Sequence, residues 1–164
     1  MIQWDSSWPE LAEERERQHL FSQLEDRFGI PRSLFDGYLL FKREKSWSLV
    51  RNSSHIVAAA QFKVSMVGIR AFQKVGAYIK PTTRMLQIFG GAATRARIVL
   101  DENQLERLLG GERLCMDLDL DRGYVILTLG KHMILGAGFY ARGELHSQIP
   151  RKELKIRMIR MPLE

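Results

Sequence analysis

The period of the apolar positions changes several times along this chain, and each change marks an element. Leu11, Leu20, Phe21, Leu24 and Phe28 fall near helical spacing. Ahead of them, Ser7-Trp8-Pro9-Glu10 combines a capping serine, a proline suited to a first turn and an acid suited to the positive helix end. A helix opening at Ser7 is therefore predicted, with Gly29 and Pro31 ending it. Tyr38 to Phe41 and Trp47 to Val50 read as a strand pair across a charged turn over 42–46. Ser53-Ser54 can cap a short helix over 55–59. A weakly alternating strand is predicted over 64–72, in which Gly68 marks a bulge or a close backbone approach. A further strand is predicted over 78–81, followed by a short apolar segment, Met85 to Phe89. Gly90 to Thr94 lacks bulky side chains and reads as the connection between two halves.

The second half opens with a short strand, Ile98 to Leu100. Asp101 with Gln104 three residues on forms a capping box for a helix over 102–109, whose Leu105, Leu108 and Leu109 share a face. Gly110-Gly111 stops that helix. Arg122-Gly123 turns the chain into a strand over 124–129, Gly130-Lys131 makes a tight turn, and His132 to Tyr140 returns. Gly136 and Gly138 interrupt the return as a strongly bent strand requires. Residues 155–161 alternate cationic and apolar and read as a closing strand, with Lys155 and Arg157 on one face and Ile156 and Met158 on the other.

Charge sharpens this picture. The chain of 164 residues carries a formal net charge of +6 with a pI near 9.7, which favours polyanionic partners. The excess is in blocks. Over 32–97 the only acids, Asp36 and Glu44, stand among twelve lysines and arginines. Residues 10–26 and 101–121 lean acidic, and 122–160 return to basic. Lys42, Arg43 and Lys45 form a cationic hairpin tip beside Trp47, which either stacks on a base or sits half-buried in the core. Tyr140 is open in the same way. The second basic set is Lys131, Arg142, Arg151, Lys152, Lys155, Arg157 and Arg160, with Gly136, Gly138 and Gly143 able to admit a nucleic-acid backbone closely.

Catalytic chemistry has little to draw on. Cys115 is the only cysteine, so neither an internal disulfide nor a cysteine zinc cluster is available, and it is expected to pack as a small apolar residue. His19, His55, His132 and His146 lack ligand spacing, and no glycine-rich cofactor loop follows a strand. No metal or cofactor is expected. Asp117, Asp119 and Asp121 alternate and are the one candidate for a divalent-metal enzyme, against the plainer reading of an exposed loop or strand face. No apolar run approaches the ~18 residues of a membrane span, and the acidic start lacks a signal-peptide core, so a cytoplasmic protein is expected.

Two stretches carry a family resemblance. RIVLDENQLERLLGGERL, residues 97 to 114, followed by GYVILTLGKHMILGAGFYARGELHSQIPR, residues 123 to 151, resembles a PUA domain, a small RNA-binding β-barrel. Many PUA domains have Pro-Gly where this chain has Leu114 to Leu118. Residues 35 to 95 are similar to the domain that precedes the PUA unit in Nip-type ribosome biogenesis factors. They are also similar to the RNA-binding tail of Sun-type and RsmF-type rRNA cytosine-5 methyltransferases, whose catalytic core and cysteines this chain lacks. The resemblance implies an α+β chain, with an N-terminal α/β domain over 1–94 and a PUA-like mixed β-barrel over 95–164. It implies a non-catalytic protein that binds structured RNA, rRNA or tRNA, in rRNA maturation or RNA modification, with its strongest contacts at Arg142, Arg151 and Lys152. The alternative is an adaptor that docks an RNA methyltransferase or an assembly factor.

Overall fold

Ser7 does not cap a helix. In the computed structural model, which describes residues 2–150 and 152, the Ser7 backbone N–H (2.9 Å) and hydroxyl (2.5 Å) both donate to the Asp5 carboxylate. The Ser7 hydroxyl oxygen also accepts from the Val64 N–H at 2.8 Å. These bonds hold the Asp5 carboxyl below its ordinary value, the Ser7 hydroxyl contributing most. With its cap committed to this local turn, the chain runs on extended. Glu10–Leu11 forms a short strand β1 on the edge of β2, Tyr38–Arg43, and the helix α1 begins only at Glu14, ending at Phe28. Gly29 closes it in the left-handed conformation at φ 68°, where glycine carries no Cβ penalty.

The chain divides into two units within helix α3, Thr83–Phe89, between Met85 and Leu86. The connection expected at 90–94 instead holds a 3-10 turn, Gly90–Ala92. The first unit is an antiparallel five-stranded sheet in chain order: β1, β2, β3 (Ser46–Arg51), β4 (Ile69–Val75) and β5 (Tyr78–Pro81). A short helix α2, His55–Ala59, lies between β3 and β4. All pairings being antiparallel, this unit is of α+β rather than parallel α/β type. Its core joins Leu20, Phe21, Leu24 and Phe28 of α1 to Leu40, Leu49 and Phe72 of the sheet, each fully buried side chain worth about 1.5–3 kcal/mol. Phe21 stacks on Phe35 at 4.3 Å, and the Arg17 guanidinium lies over Phe21 while donating to the Phe35 and Tyr38 carbonyls.

The strand predicted over 64–72 begins later, at Ile69, because Val64 to Gly68 is drawn to the Asp5–Ser7 turn and to β3 instead. Gly68, at φ 58°, passes so close to β3 that a Cβ there would lie 2.2 Å from the Leu49 carbonyl oxygen. The close approach expected from sequence is the reason for this glycine.

In the second unit β6 (Arg97–Leu100) pairs parallel with β8 (Gly123–Leu129), and the sheet order is β6-β8-β9-β10-β7, with β7 Leu114–Cys115, β9 Met133–Ala141 and β10 Glu144–Ser147. The parallel pair needs a crossover, and helix α4, Glu102–Leu109, is part of it. Asp101 caps α4 as predicted: its carboxylate accepts from the Gln104 N–H at 2.7 Å and the Gln104 side chain accepts from the Asp101 N–H at 3.0 Å. Of the two sheets, one curls into a half-barrel. The closing strand expected over 155–161 lies outside the described residues. Cys115, expected to pack, is exposed, because its neighbour Leu114 takes the inward position of β7.

Two substitutions test these local explanations by urea unfolding followed by circular dichroism. Gly68→Ala lowers the midpoint by the equivalent of about 1–3 kcal/mol, since φ and the Leu49 carbonyl both oppose a side chain. Asp101→Ala costs about 1 kcal/mol through loss of the cap. An unchanged midpoint in either variant contradicts the corresponding contact.

Candidate nucleic-acid interface

Strand β9 decides where the second basic set can act. Lys131 is exposed in the loop before β9, its carbonyl accepting from Arg97 at 2.7 Å. Arg142 is exposed in the two-residue turn after β9, where it and Gly143 both have positive φ, 53° and 75°. That geometry suits the twist of a tight hairpin and is uncommon for arginine. A nine-residue strand separates the two cations by about 30 Å at ~3.4 Å per residue. They stand at opposite ends of one strand and do not form a single contact.

The loop after β7 is held against the turn that carries Arg142. Met116 donates to the Gly143 carbonyl at 2.9 Å, and the buried Tyr140 hydroxyl donates to the Met116 carbonyl at 2.9 Å and accepts from Leu118 at 3.1 Å. Tyr140 is therefore a core residue pinning the loop that carries the exposed Asp117, Asp119 and Asp121 beside this turn. Among the described residues no group of three or more His, Cys, Asp or Glu is placed to hold a metal ion, so the three aspartates do not assemble as the enzyme alternative requires. Gly136 and Gly138, expected to admit a nucleic-acid backbone, are buried within β9. A Cβ on Gly138 would meet the Leu127 side chain at 3.0 Å, so this glycine makes room for the core. Lys152 is exposed. Arg151, Lys155, Arg157 and Arg160 lie outside the described residues.

In the first unit the hairpin turn is tighter than predicted. Arg43 pairs with Ser46, so only Glu44 and Lys45 form the turn, and Lys42 lies within β2. Lys42 stands on the face covered by α1, 2.8 Å from the Glu16 carboxylate, and its ammonium lies 5.9 Å from the Trp47 ring. It opens onto a groove of about 490 Å³ lined also by Glu10, Leu11, Glu13, Arg15 and His19, so three glutamates share the groove with two cations. Glu16, by hydrogen bond and then by charge, raises the Lys42 pKa above its ordinary 10.5. Trp47 is 4% exposed, with no hydrogen-bond partner for Nε1 among the described residues, and is unavailable to a base. Arg43 and Lys45 remain exposed, and the Lys74 N–H donates to the Lys45 carbonyl at 2.8 Å, joining the β2–β3 turn to the end of β4.

The exposed aromatic rings are elsewhere. Phe62 is 68% and Tyr78 54% exposed. Sequence reading passed over both: Tyr78 is exposed because the sheet register turns its side of β5 outward, and Phe62 lies in the irregular segment between α2 and β4, where no periodicity marks a face. The one local hint at Tyr78 is its place just after the Gly76-Ala77 turn. No helix among the described residues is long and apolar enough to cross a membrane.

The Lys42 assignment predicts a difference between variants. Because its folded pKa is raised, the contribution of the Lys42–Glu16 pair is fully present at neutral pH and is lost as pH rises past 10.5 through the raised value. Lys42→Gln is expected to remove that part of the alkaline loss of thermal stability, read as a flatter melting-temperature profile from pH 9 to 12. A profile that superimposes on wild type contradicts the pairing. No protein-family model matches this chain, and no curated protein matches it.

Proposed function

We propose that this chain is a non-catalytic RNA-binding protein acting in rRNA maturation or RNA modification in the cytoplasm. The observation that carries the reading is the distribution of charge. A net +6 is concentrated in stretches whose Arg43, Lys45, Lys131, Arg142 and Lys152 reach solvent. The second unit supports it through element order: strand, box-capped helix, glycine turn, then a hairpin with a bulge between Leu127 and Thr128, the sequence of elements that resembles a PUA domain. Affinity would come from phosphate contacts by these cations.

A second reading, a protein adaptor, is favoured by one observation. Phe62 and Met66 are 68% and 80% exposed on the segment between α2 and β4, with Val57 exposed nearby in sequence. There the partner would supply the RNA contact.

Filter binding of a structured rRNA hairpin across a salt series separates the two. The RNA-binding reading expects micromolar or tighter binding at low salt with a negative slope of log K against log salt. Arg142→Glu combined with Lys152→Glu is expected to flatten that slope by about 1.4–1.8, at ~0.7–0.9 per lost phosphate contact. Absence of binding in low salt, or a partner captured with RNA affinity unchanged by the double variant, favours the adaptor.

A further inference from the structure

The register of the first sheet places Arg43, Ser46, Gln73 and Lys80 in one cross-strand row, from β2 through β3 and β4 to β5. Directly paired residues share a face, so all four side chains stand on the same side of the sheet. It is the side opposite Lys42, Trp47 and Phe72, which face α1. The next positions along the strands on this side are Ser48 with its partner Arg70 in one direction and the Val75–Tyr78 pair in the other.

Three properties of this face point to a ligand. Its floor is small and polar, Ser46 and Ser48, so a flat group can approach the backbone. Its rims are cationic. Arg43 stands at one edge, its guanidinium aimed by a hydrogen bond to the Ser7 carbonyl that leaves its charge in place, and the exposed Arg70 stands across the floor from it. Tyr78, 54% exposed, closes one end beside exposed Val75. Moreover, β3, β4 and β5 contain no aspartate or glutamate at all, in contrast to the aspartate-bearing loop beside Arg142. On the β2 side Trp4 and Trp8 pack on Phe41 at 5.4 and 5.7 Å, so the N-terminal segment covers that part of the face, while Arg70, Gln73 and Tyr78 remain exposed.

We infer that this face binds an unpaired segment of RNA, with Arg43 and Arg70 on its phosphates and Tyr78 stacked on a base. The inference rests on the RNA-binding reading above and gives it a site and a substrate class. From β2 to β5 the row spans about 14 Å at ~4.8 Å per strand, room for a short run of nucleotides. Unpaired rather than duplex RNA follows from the exposed ring: a base in a helix is already stacked and cannot lie on Tyr78.

The test is fluorescence anisotropy of the whole protein with a labelled ten-nucleotide uridine oligomer and with an RNA duplex of equal length. Wild type is expected to prefer the single strand. Tyr78→Ala weakens single-strand binding by about 5- to 100-fold, the loss of one stacked base, while Tyr78→Phe keeps it within about twofold because the ring remains. Arg70→Gln flattens the salt slope by about 0.7, the value for one single-strand phosphate. These positions being at the surface, circular dichroism and thermal unfolding of the variants should match wild type. Wild type that binds the oligomer with an affinity and slope untouched by these variants overturns the site alone. Wild type that binds neither probe overturns the RNA-binding reading and the site with it.

Discussion

The first unit depends on one register. Arg43 opposite Ser46 and Lys42 opposite Trp47 fix β2 against β3, and the same alignment continues through Phe72 and Gln73 to Pro81 and Lys80. Because a strand alternates faces at every residue, this alignment sends Trp47 and Phe72 under α1 and turns Arg43, Gln73 and Lys80 outward. A slip of one position would exchange the two sets, burying cations and exposing the aromatic core. The register is held where slippage would be costly: by the buried Leu40, Leu49 and Phe72, and by Gly68, whose missing side chain lets the chain pass against the Leu49 carbonyl.

That alternation gives adjacent cations opposite fates. Lys42 faces inward to Glu16 and the groove they line; Arg43, one residue on, faces outward beside Ser46. Net charge therefore overstates what a polyanion can reach. Arg17 is held by two carbonyls and a ring, and Arg32, Arg107 and Arg113 pair with Glu25, Glu112 and Glu144 at 2.7–3.1 Å. In the second unit Lys131 and Arg142 stand at opposite ends of β9, with the aspartate-bearing loop 116–121 folded against one end of it by Tyr140. Strands β3 to β5 themselves carry no aspartate or glutamate and turn Arg70, Gln73 and Tyr78 to solvent.

Local signals were legible before the fold was seen. The capping box at Asp101 and Gln104, the stop at Gly29, the short helix at 55–59 and the strands at 78–81, 98–100 and 124–129 each depend on neighbours a few residues away, and each forms near the expected place. Features governed by distant partners were not legible. Ser7 has every mark of a helix cap, yet Asp5 and Val64 compete for its hydroxyl, and the latter is 57 residues on. Gly136 and Gly138 mark a bent strand in either case, but only the position of Leu127 across the ladder shows that Gly138 serves packing rather than ligand approach.

The amino-acid order by itself determined the basic excess, its division into blocks, the two-part arrangement of strands and short helices, and the caps and turns that punctuate them. These follow from composition and from interactions within a turn or two of chain. Which cations face solvent, which aromatic rings are buried, and whether charges three strands apart fall in one row were decided by tertiary pairing. Strand register and helix packing set those outcomes, and both are long-range alignments selected by burial of a whole face rather than by any one residue's neighbours in sequence.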